Sequence, residues 1–138
     1  MSEQMLNILL VEDDEVDVMN VQRAFKKNNI RNPLWVAGNG VEALGALRGG
    51  EIPLDRRLVL LDLNMPRMNG IEFLRELRAD EKLRHTPVVV LTTSGDERDR
   101  VDAYNLNVAG YILKPVTFAN FVEAMATLNK YWTLVEYP

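Results

Sequence analysis

Apolar and polar positions alternate in blocks along this chain. Four short apolar runs are each followed at once by polar or turn-forming residues: Ile8–Val11, Leu58–Leu61, Val88–Leu91 and Tyr111–Leu113. Runs of this length are typical of strands that a parallel sheet buries on both faces. The segments between them carry apolar residues at helical spacing, as Val18, Val21 and Phe25 do. The pattern therefore predicts alternating strands and helices.

The block boundaries predict where these elements lie. Strands are expected at residues 7–12, 33–37, 58–62, 87–92 and 110–113. Helices are expected from Glu15 to about Asn28, from Asn39-Gly40 to Arg48, after the cap residue Asn69, from Asp96 to about Asn105, and after the cap residue Thr117. Strict alternation predicts an α/β fold, with a doubly wound five-stranded parallel sheet covered by five helices on both faces. Such sheets bind ligands at the carboxyl ends of their strands.

Composition narrows the class of protein. The 138 residues fit one domain, and 47% hydrophobic with 26% charged residues is ordinary for a globular chain. A net charge of −4 argues against nucleic-acid binding, and the lack of Cys excludes disulfides and thiolate sites. The N-terminus has no signal-peptide pattern, and no apolar stretch reaches the roughly 18 residues that cross a bilayer. We expect a cytoplasmic protein that binds no membrane.

Candidate chemistry collects at the predicted strand ends. Asp62 ends the third apolar run, and Pro66 and Gly70 then prevent the strand from continuing. Glu12-Asp13 follows the first strand, Thr92 ends the fourth, and Lys114 follows the fifth. Parallel strands end at one edge of the sheet, so these side chains are expected to share one site.

The acids of this edge predict a metal site. Glu12, Asp13 and Asp62 would repel one another in a partly buried site, and a divalent cation relieves that repulsion. Oxygen ligands without Cys favour Mg²⁺, for which Mn²⁺ can substitute, and the backbone carbonyl of Asn64 can add another oxygen. The alternative is structural: Glu12 and Asp13 could cap the first helix, with Asp14 as an exposed acid of its first turn.

The remaining Asp62 oxygen can act as a nucleophile. A carboxylate attacks a phosphoryl donor to give an aspartyl phosphate. The Lys114 ammonium can neutralise the transferred group, and the Thr92 hydroxyl can donate a hydrogen bond to it. These residues together predict phosphoryl transfer onto Asp62.

The motifs resemble those of a known family. Leu10-Val11-Glu12-Asp13-Asp14, Leu61-Asp62-Leu63-Asn64-Met65-Pro66 with Gly70, Leu91-Thr92-Thr93 and Lys114-Pro115 stand in the order found in response regulator receiver domains of two-component systems, which are CheY-like. The resemblance covers about residues 5–130, leaving 131–138 as a C-terminal extension of a single domain. It implies the flavodoxin-like strand order 2-1-3-4-5.

The resemblance also implies a role for each matching residue. Asp62 would be the phosphoacceptor, and Mg²⁺ would bind Glu12, Asp13, Asp62 and the Asn64 carbonyl. Thr92, Thr93, Lys114 and the switch aromatic Tyr111 would bind or sense the phosphoryl group, and the Lys114-Pro115 peptide would be cis. Many relatives carry Asp where this chain has Glu12, so direct and water-mediated metal contacts both stay open for Glu12.

Two features suggest more than a minimal receiver. The connection from Gly49 to Arg57 is long, and the chain ends in an aromatic and aliphatic segment. Both resemble single-domain regulators that pair with bacterial and cyanobacterial phytochromes. The C-terminal segment is expected to pack either on its own domain or across a dimer partner. Exposed aromatic residues beside the last helix favour a homodimer, with an interface that includes Tyr111, Phe121, Tyr131, Trp132, Leu134 and Val135.

The leading hypothesis is a stand-alone phosphorelay switch. A sensor histidine kinase, which the resemblance implies to be a phytochrome, would phosphorylate Asp62 and change the face formed by the fourth helix, fifth strand and fifth helix. The chain would not be an enzyme beyond its own phosphorylation and dephosphorylation. An aspartate-nucleophile phosphatase is the second hypothesis, but Asn64 stands where such enzymes carry a second acid. A binding module with a vestigial site is the third.

Overall fold

A computed structural model of the protein describes residues 7–27, 29, 31–63, 68–92, 102–103, 105–108 and 110–113. The elements found there are β1 (Asn7–Val11), α1 (Glu15–Lys27), β2 (Leu34–Ala37), α2 (Gly40–Arg48), β3 (Arg57–Leu61), α3 (Gly70–Ala79), β4 (Val88–Thr92) and β5 (Gly110–Leu113). Residues 102, 103 and 105 are also helical, within the predicted fourth helix. The rest of that helix and the predicted helix after Thr117 lie outside the described residues.

All strand pairs are parallel, and the sheet order is β2-β1-β3-β4-β5. The expected fold and strand order are confirmed. The chain reverses its direction of winding at β1, which has β2 on one side and β3 on the other. Val11 pairs with Leu61 in register, so β1 and β3 end side by side at this reversal. A crevice at such a point is the usual binding site of this architecture.

The central strands β1 and β3 are buried on both faces because continuous apolar runs fill them, from Ile8 to Val11 and from Leu58 to Leu61. In β1, Leu9 and Val11 face the cluster formed with α2 and α3, whereas Ile8 and Leu10 face the cluster formed with α1. Successive strand residues point to opposite faces, so a continuous apolar run fills both layers. This packing leaves the strand ends as the places where polar chemistry is available.

The long connection between α2 and β3 is held by a buried arginine. Arg57 donates from Nη2 to the Ile52 carbonyl (2.7 Å) and from Nε to the Pro53 carbonyl (2.8 Å). Burial lowers the pKa of this guanidinium. The Ile52 side chain is buried in the α2–α3 cluster, whereas Leu54 is 83% exposed. This loop precedes β3 and therefore lies at the edge of the sheet opposite the acidic strand ends.

Asp14 is the residue that caps α1. Its Oδ1 accepts hydrogen bonds from the backbone N–H groups of Val16 (2.8 Å) and Asp17 (3.3 Å). The prediction of an exposed acid was incomplete, since Asp14 is exposed but also satisfies two orphan donors of the helix. The alternative in which Glu12 and Asp13 serve as the capping pair is accordingly not favoured.

Candidate functional site

The acids after β1 and β3 are held at the sheet edge by backbone hydrogen bonds. The Asp62 N–H donates to the Val11 carbonyl at 3.0 Å, and the Glu12 N–H donates to the Ala37 carbonyl at 2.9 Å. These bonds continue the parallel ladders one residue past the strands. The backbone positions of Glu12 and Asp62 are therefore as fixed as those of the sheet itself.

Three carboxylates meet at this edge. Glu12, Asp13 and Asp62 each offer an oxygen, and these oxygens all lie within 4.8 Å of one another. Glu12 and Asp62 are buried, with 3% and 6% exposure, whereas Asp13 is exposed. Glu12 Oε2 also accepts from the Asp14 N–H at 3.3 Å. The cluster thus has two shielded acids and one that faces solvent.

The donor set fits a hard divalent cation. Like charges this close repel, and the repulsion is stronger where water is excluded. Mg²⁺ prefers carboxylate oxygens and retains several waters, which an exposed side of the site permits. The predicted convergence of Glu12, Asp13 and Asp62 is confirmed as geometry, and the cluster can hold a metal ion.

The start of α3 lies in close contact with Asp62 and Leu63 at the end of β3. The Gly70 N–H donates to the Leu63 carbonyl at 3.0 Å, and a Cβ on Gly70 would lie 2.6 Å from Leu63 Cα and 2.8 Å from the Asp62 carbonyl oxygen. Only glycine fits this approach. Asn69 and Glu72 form a capping box at the start of α3, as the cap prediction for Asn69 requires.

Backbone positions also bring β4 and β5 to the same edge. Val90 of β4 pairs with Leu61 of β3 and with Tyr111 of β5, and Thr92 pairs with Leu113. The predicted strand ends at Thr92 and Leu113 are therefore adjacent. The described residues do not include Asn64, Thr93, Lys114, Pro115, Phe121, Tyr131, Trp132, Leu134 or Val135, so the predictions on them, including the cis peptide, lie outside the described part.

Residues 8–126 match the model of the response regulator receiver domain family. The chain belongs to this family. Its role is therefore in two-component signal transduction, and the expected family is confirmed. Receiver domains are signalling switches rather than enzymes in the usual sense.

Two similar proteins match this chain over most of their length. The chain is 38% identical to the probable methanogenesis regulatory protein FilR2 of Methanothrix harundinacea, covering 91% of this chain and 82% of FilR2. It is 36% identical to response regulator Rcp1 of Synechocystis sp., covering 91% of this chain and 87% of Rcp1. Both relatives are matched over most of the receiver.

Solved structures agree with the fold of this receiver. The phosphorylated cyanobacterial phytochrome response regulator RcpA superposes with a TM-score of 0.85 at 33% identity, covering 97% of this chain and 98% of RcpA. The Mn²⁺-bound form of Rcp1 gives a TM-score of 0.83 at 35% identity, covering 96% of this chain and 99% of Rcp1. Among the described helices of the present receiver, none is long and apolar enough to span a membrane.

Two residues near the site were not identified from sequence as functional. Asp14 could have been recognised as the cap, because an Asp directly before an amphipathic segment is a helix-start signal. Gly40 had no such signal, because its contact is with Met68, far along the chain. Sequence indicated only that Asn39-Gly40 begins a helix.

Proposed function

We propose that Asp62 is the phosphoacceptor of this receiver and that it takes the phosphoryl group from a sensor histidine kinase in the presence of Mg²⁺. The observation that carries the proposal is the convergence of the Glu12, Asp13 and Asp62 carboxylates within 4.8 Å at the ends of β1 and β3. Glu12 and Asp62 are both buried and both held by a ladder hydrogen bond beyond their strands, and the resemblance to receiver domains assigns the acceptor role to Asp62. A fixed nucleophile favours in-line attack.

The residues of the cluster would bind the cation and supply the nucleophile. Glu12, Asp13, one oxygen of Asp62 and the backbone carbonyl of Asn64 would hold the cation, directly or through water in the case of Glu12. When bound, Mg²⁺ supplies positive charge that offsets the negative charge of the carboxylates and of the incoming phosphoryl group. The other Asp62 oxygen stays available as nucleophile.

The transfer step requires only the phosphorylated histidine of the kinase, Asp62 and a proton from water. An Asp62 oxygen forms a bond to phosphorus while the bond between phosphorus and the kinase imidazole nitrogen breaks. That nitrogen keeps the electron pair and takes a proton from water. When the switch returns to its resting state, water attacks phosphorus and the bond between phosphorus and the Asp62 oxygen breaks, which restores the Asp62 carboxylate and releases inorganic phosphate.

We further propose that residues from β4 and β5 complete the site. Thr92 and Thr93 would donate hydrogen bonds to phosphoryl oxygens, and Lys114 would neutralise their charge. Tyr111 would act as the switch aromatic and transmit the effect of Asp62 phosphorylation to the surface around the fifth strand. The adjacency of the Thr92 and Leu113 backbones at this edge supports the assignment.

The kinase partner that we propose is a phytochrome of bacterial type. Support comes from the likeness to RcpA, which is a cyanobacterial phytochrome response regulator. Phosphorylation would bias self-association through residues 96–135. Failure of a cognate phytochrome kinase to transfer phosphate would contradict the proposed partner. Equal sedimentation profiles with and without a phosphoryl analogue would contradict the proposed effect on self-association.

Intact-mass spectrometry after incubation with acetyl phosphate and Mg²⁺ tests the central proposal. Wild type is expected to gain the mass of one phosphoryl group, and Asp62→Asn or removal of Mg²⁺ is expected to prevent the gain. Asp55→Asn is the matched control, because Asp55 is an exposed acid of the loop at the opposite sheet edge. Labelling of Asp62→Asn at the wild-type level would overturn the assignment.

A further inference from the structure

Gly40 makes a close contact with the loop that follows Asp62. Gly40 is buried at the start of α2, and its N–H donates to the Met68 carbonyl at 3.3 Å. A Cβ on Gly40 would lie 2.7 Å from Met68 Cγ and 2.9 Å from both Met68 Sδ and the Met68 carbonyl oxygen. Any side chain at this position would therefore push Met68 away from α2.

Met68 has little freedom to absorb that displacement. Its φ of +54° lies in the left-handed region, which is costly for a residue with a side chain. Its side chain packs against the core cluster shared by α2 and α3. Two residues later, Gly70 fixes the chain to Leu63 through the hydrogen bond and close approach described above. Both described ends of the loop after Asp62 are thus anchored, Leu63 by Gly70 and Met68 by Gly40.

These anchors form a closed circuit of backbone hydrogen bonds around the acids. The Asp62 N–H donates to the Val11 carbonyl. Glu12, the residue after Val11, donates its N–H to the carbonyl of Ala37 at the end of β2. Three residues further along the chain, Gly40 is bonded to Met68. The circuit closes through Gly70, two residues after Met68, which is bonded to Leu63 next to Asp62.

The turn between Ala37 and Gly40 is itself rigid. Asn39 is buried, and its Oδ1 accepts from the Glu42 N–H at 2.9 Å. The Glu42 carboxylate folds back to accept from the Gly38 N–H at 3.1 Å and from Asn39 Nδ2 at 3.2 Å. A displacement at Gly40 is therefore not absorbed by its own turn and is passed to Met68.

We propose that Gly40 is a positioning residue for the metal site, although it lies outside the acidic cluster. The absence of a side chain lets Met68 close on α2. This holds the start of α3 in place, where Gly70 contacts Leu63 and the Asp62 backbone. The inference rests on the proposed function, because it takes the acidic cluster to be a metal site.

Metal affinity of a Gly40→Ala variant tests the proposal. The affinity is read from the EPR signal of unbound Mn²⁺ during a titration and needs no phosphorylation. Gly40→Ala is expected to weaken Mn²⁺ binding about fivefold or more. Gly45→Ala is the matched control in the same helix, because a Cβ there meets nothing within 4 Å, and its affinity is expected to equal that of wild type.

A rescue variant separates positioning from general damage. Met68→Gly removes Cγ and Sδ and makes the positive φ favourable. The double variant Gly40→Ala/Met68→Gly is expected to bind Mn²⁺ more tightly than Gly40→Ala alone. Equal weakness of the two variants would overturn the proposed route through Met68.

Amide exchange in wild type gives a readout that needs no substitution. By linkage, a contact that favours metal binding must itself be favoured by the metal to the same degree. Addition of Mg²⁺ is expected to slow exchange of the Gly40 amide about fivefold or more, and more than that of the Gly45 amide. Equal slowing of both amides would mean that the metal stabilises the whole domain, and the proposal would then fail. This test uses wild type alone and therefore holds even if Gly40→Ala does not fold.

The outcomes distinguish this inference from the proposed function. Tight Mn²⁺ binding by Gly40→Ala overturns the inference alone. If the Mn²⁺ affinity depends on Gly40 but the protein takes up no phosphoryl group, only the phosphoacceptor assignment is overturned. Absence of Mn²⁺ binding in wild type overturns both.

Discussion

The Nε atom of Arg78, in the last turn of α3, donates to the Leu106 carbonyl 2.7 Å away, joining residues 28 positions apart. The same guanidinium donates to the carbonyls of Thr86 (2.7 Å), Arg84 (2.8 Å) and Asn107 (3.1 Å). Burial lowers the pKa of Arg78 from its ordinary value. Arg78 thus ties the end of α3 to the turns that precede β4 and β5.

Replacement of Arg78 is expected to destabilise the fold. Arg78→Met leaves carbonyls of two turns without their charged donor, and we expect the free energy of unfolding to fall by about 2–4 kcal/mol. Arg78→Lys should recover little, because a single ammonium cannot reach both turns with fixed geometry. Urea unfolding measures both variants.

The control for Arg78 lies on the same helix. Arg75 is exposed, so Arg75→Met is expected to change the free energy of unfolding by less than about 0.5 kcal/mol. Equal losses in Arg75→Met and Arg78→Met would show that the backbone contacts of Arg78 contribute nothing of their own.

Asp80 should make stability depend on pH in the acid range. The Lys82 N–H donates to Asp80 at 2.8 Å and Arg48 Nε donates at 3.1 Å, and together these bonds hold the pKa of the Asp80 carboxyl below its ordinary value. A carboxyl whose pKa is lower in the folded state stabilises the fold above its unfolded pKa, and this stabilisation is lost as pH falls through the folded pKa. The effect is present at neutral pH.

Thermal unfolding of wild type and Asp80→Asn across this range checks the sign. The variant is expected to unfold at a lower temperature than wild type at neutral pH, and the two should converge as pH falls below the depressed pKa of Asp80. In the presence of Arg48→Gln, the difference in unfolding temperature that Asp80→Asn causes should become smaller without vanishing, because the Lys82 N–H still donates to Asp80. A gap that widens on acidification would contradict the assignment.

The acidic cluster could be predicted from sequence because neighbouring positions in the chain specify each of its residues. Apolar runs that end in Glu12-Asp13 and Asp62 specify both the strand and the residue at its tip, and parallel strands share one edge. The three helices described in full begin at or directly after the predicted residues, and α1 and α2 also end within about a residue of their predicted ends, since polar caps or glycines mark these boundaries.

Contacts between distant segments could not be predicted in the same way. Nothing in the local pattern distinguishes Arg78 from exposed Arg75, yet Arg78 bonds carbonyls in two turns. The closeness of Gly40 to Met68 depends on how α2 packs beside Met68, which is a property of the assembled layers. Pattern identifies elements and strand ends, whereas the spacing between elements comes from packing.

Removal of one acid should separate metal binding from repulsion. In the absence of metal, Asp13→Asn is expected to raise the melting temperature, because it lowers the like charge within 4.8 Å of Glu12 and Asp62. Wild type should gain about 2.7 kcal/mol of stability at a Mg²⁺ concentration one hundred times its dissociation constant. The variant should gain less at the same concentration, and an equal gain would place the cation elsewhere.

The two helix glycines Gly70 and Gly45 should respond in opposite directions to the same substitution. Gly70→Ala puts a Cβ 2.6 Å from Leu63 Cα and 2.8 Å from the Asp62 carbonyl oxygen, so backbone must move, and we expect a loss of about 1–3 kcal/mol. Gly45→Ala meets open space and removes a flexible residue from a helix interior, so we expect a gain of about 0.5–1 kcal/mol. Chemical denaturation measures both. A neutral Gly70→Ala would mean that the chain after Asp62 adjusts freely, which is incompatible with a phosphoacceptor held rigidly by its loop.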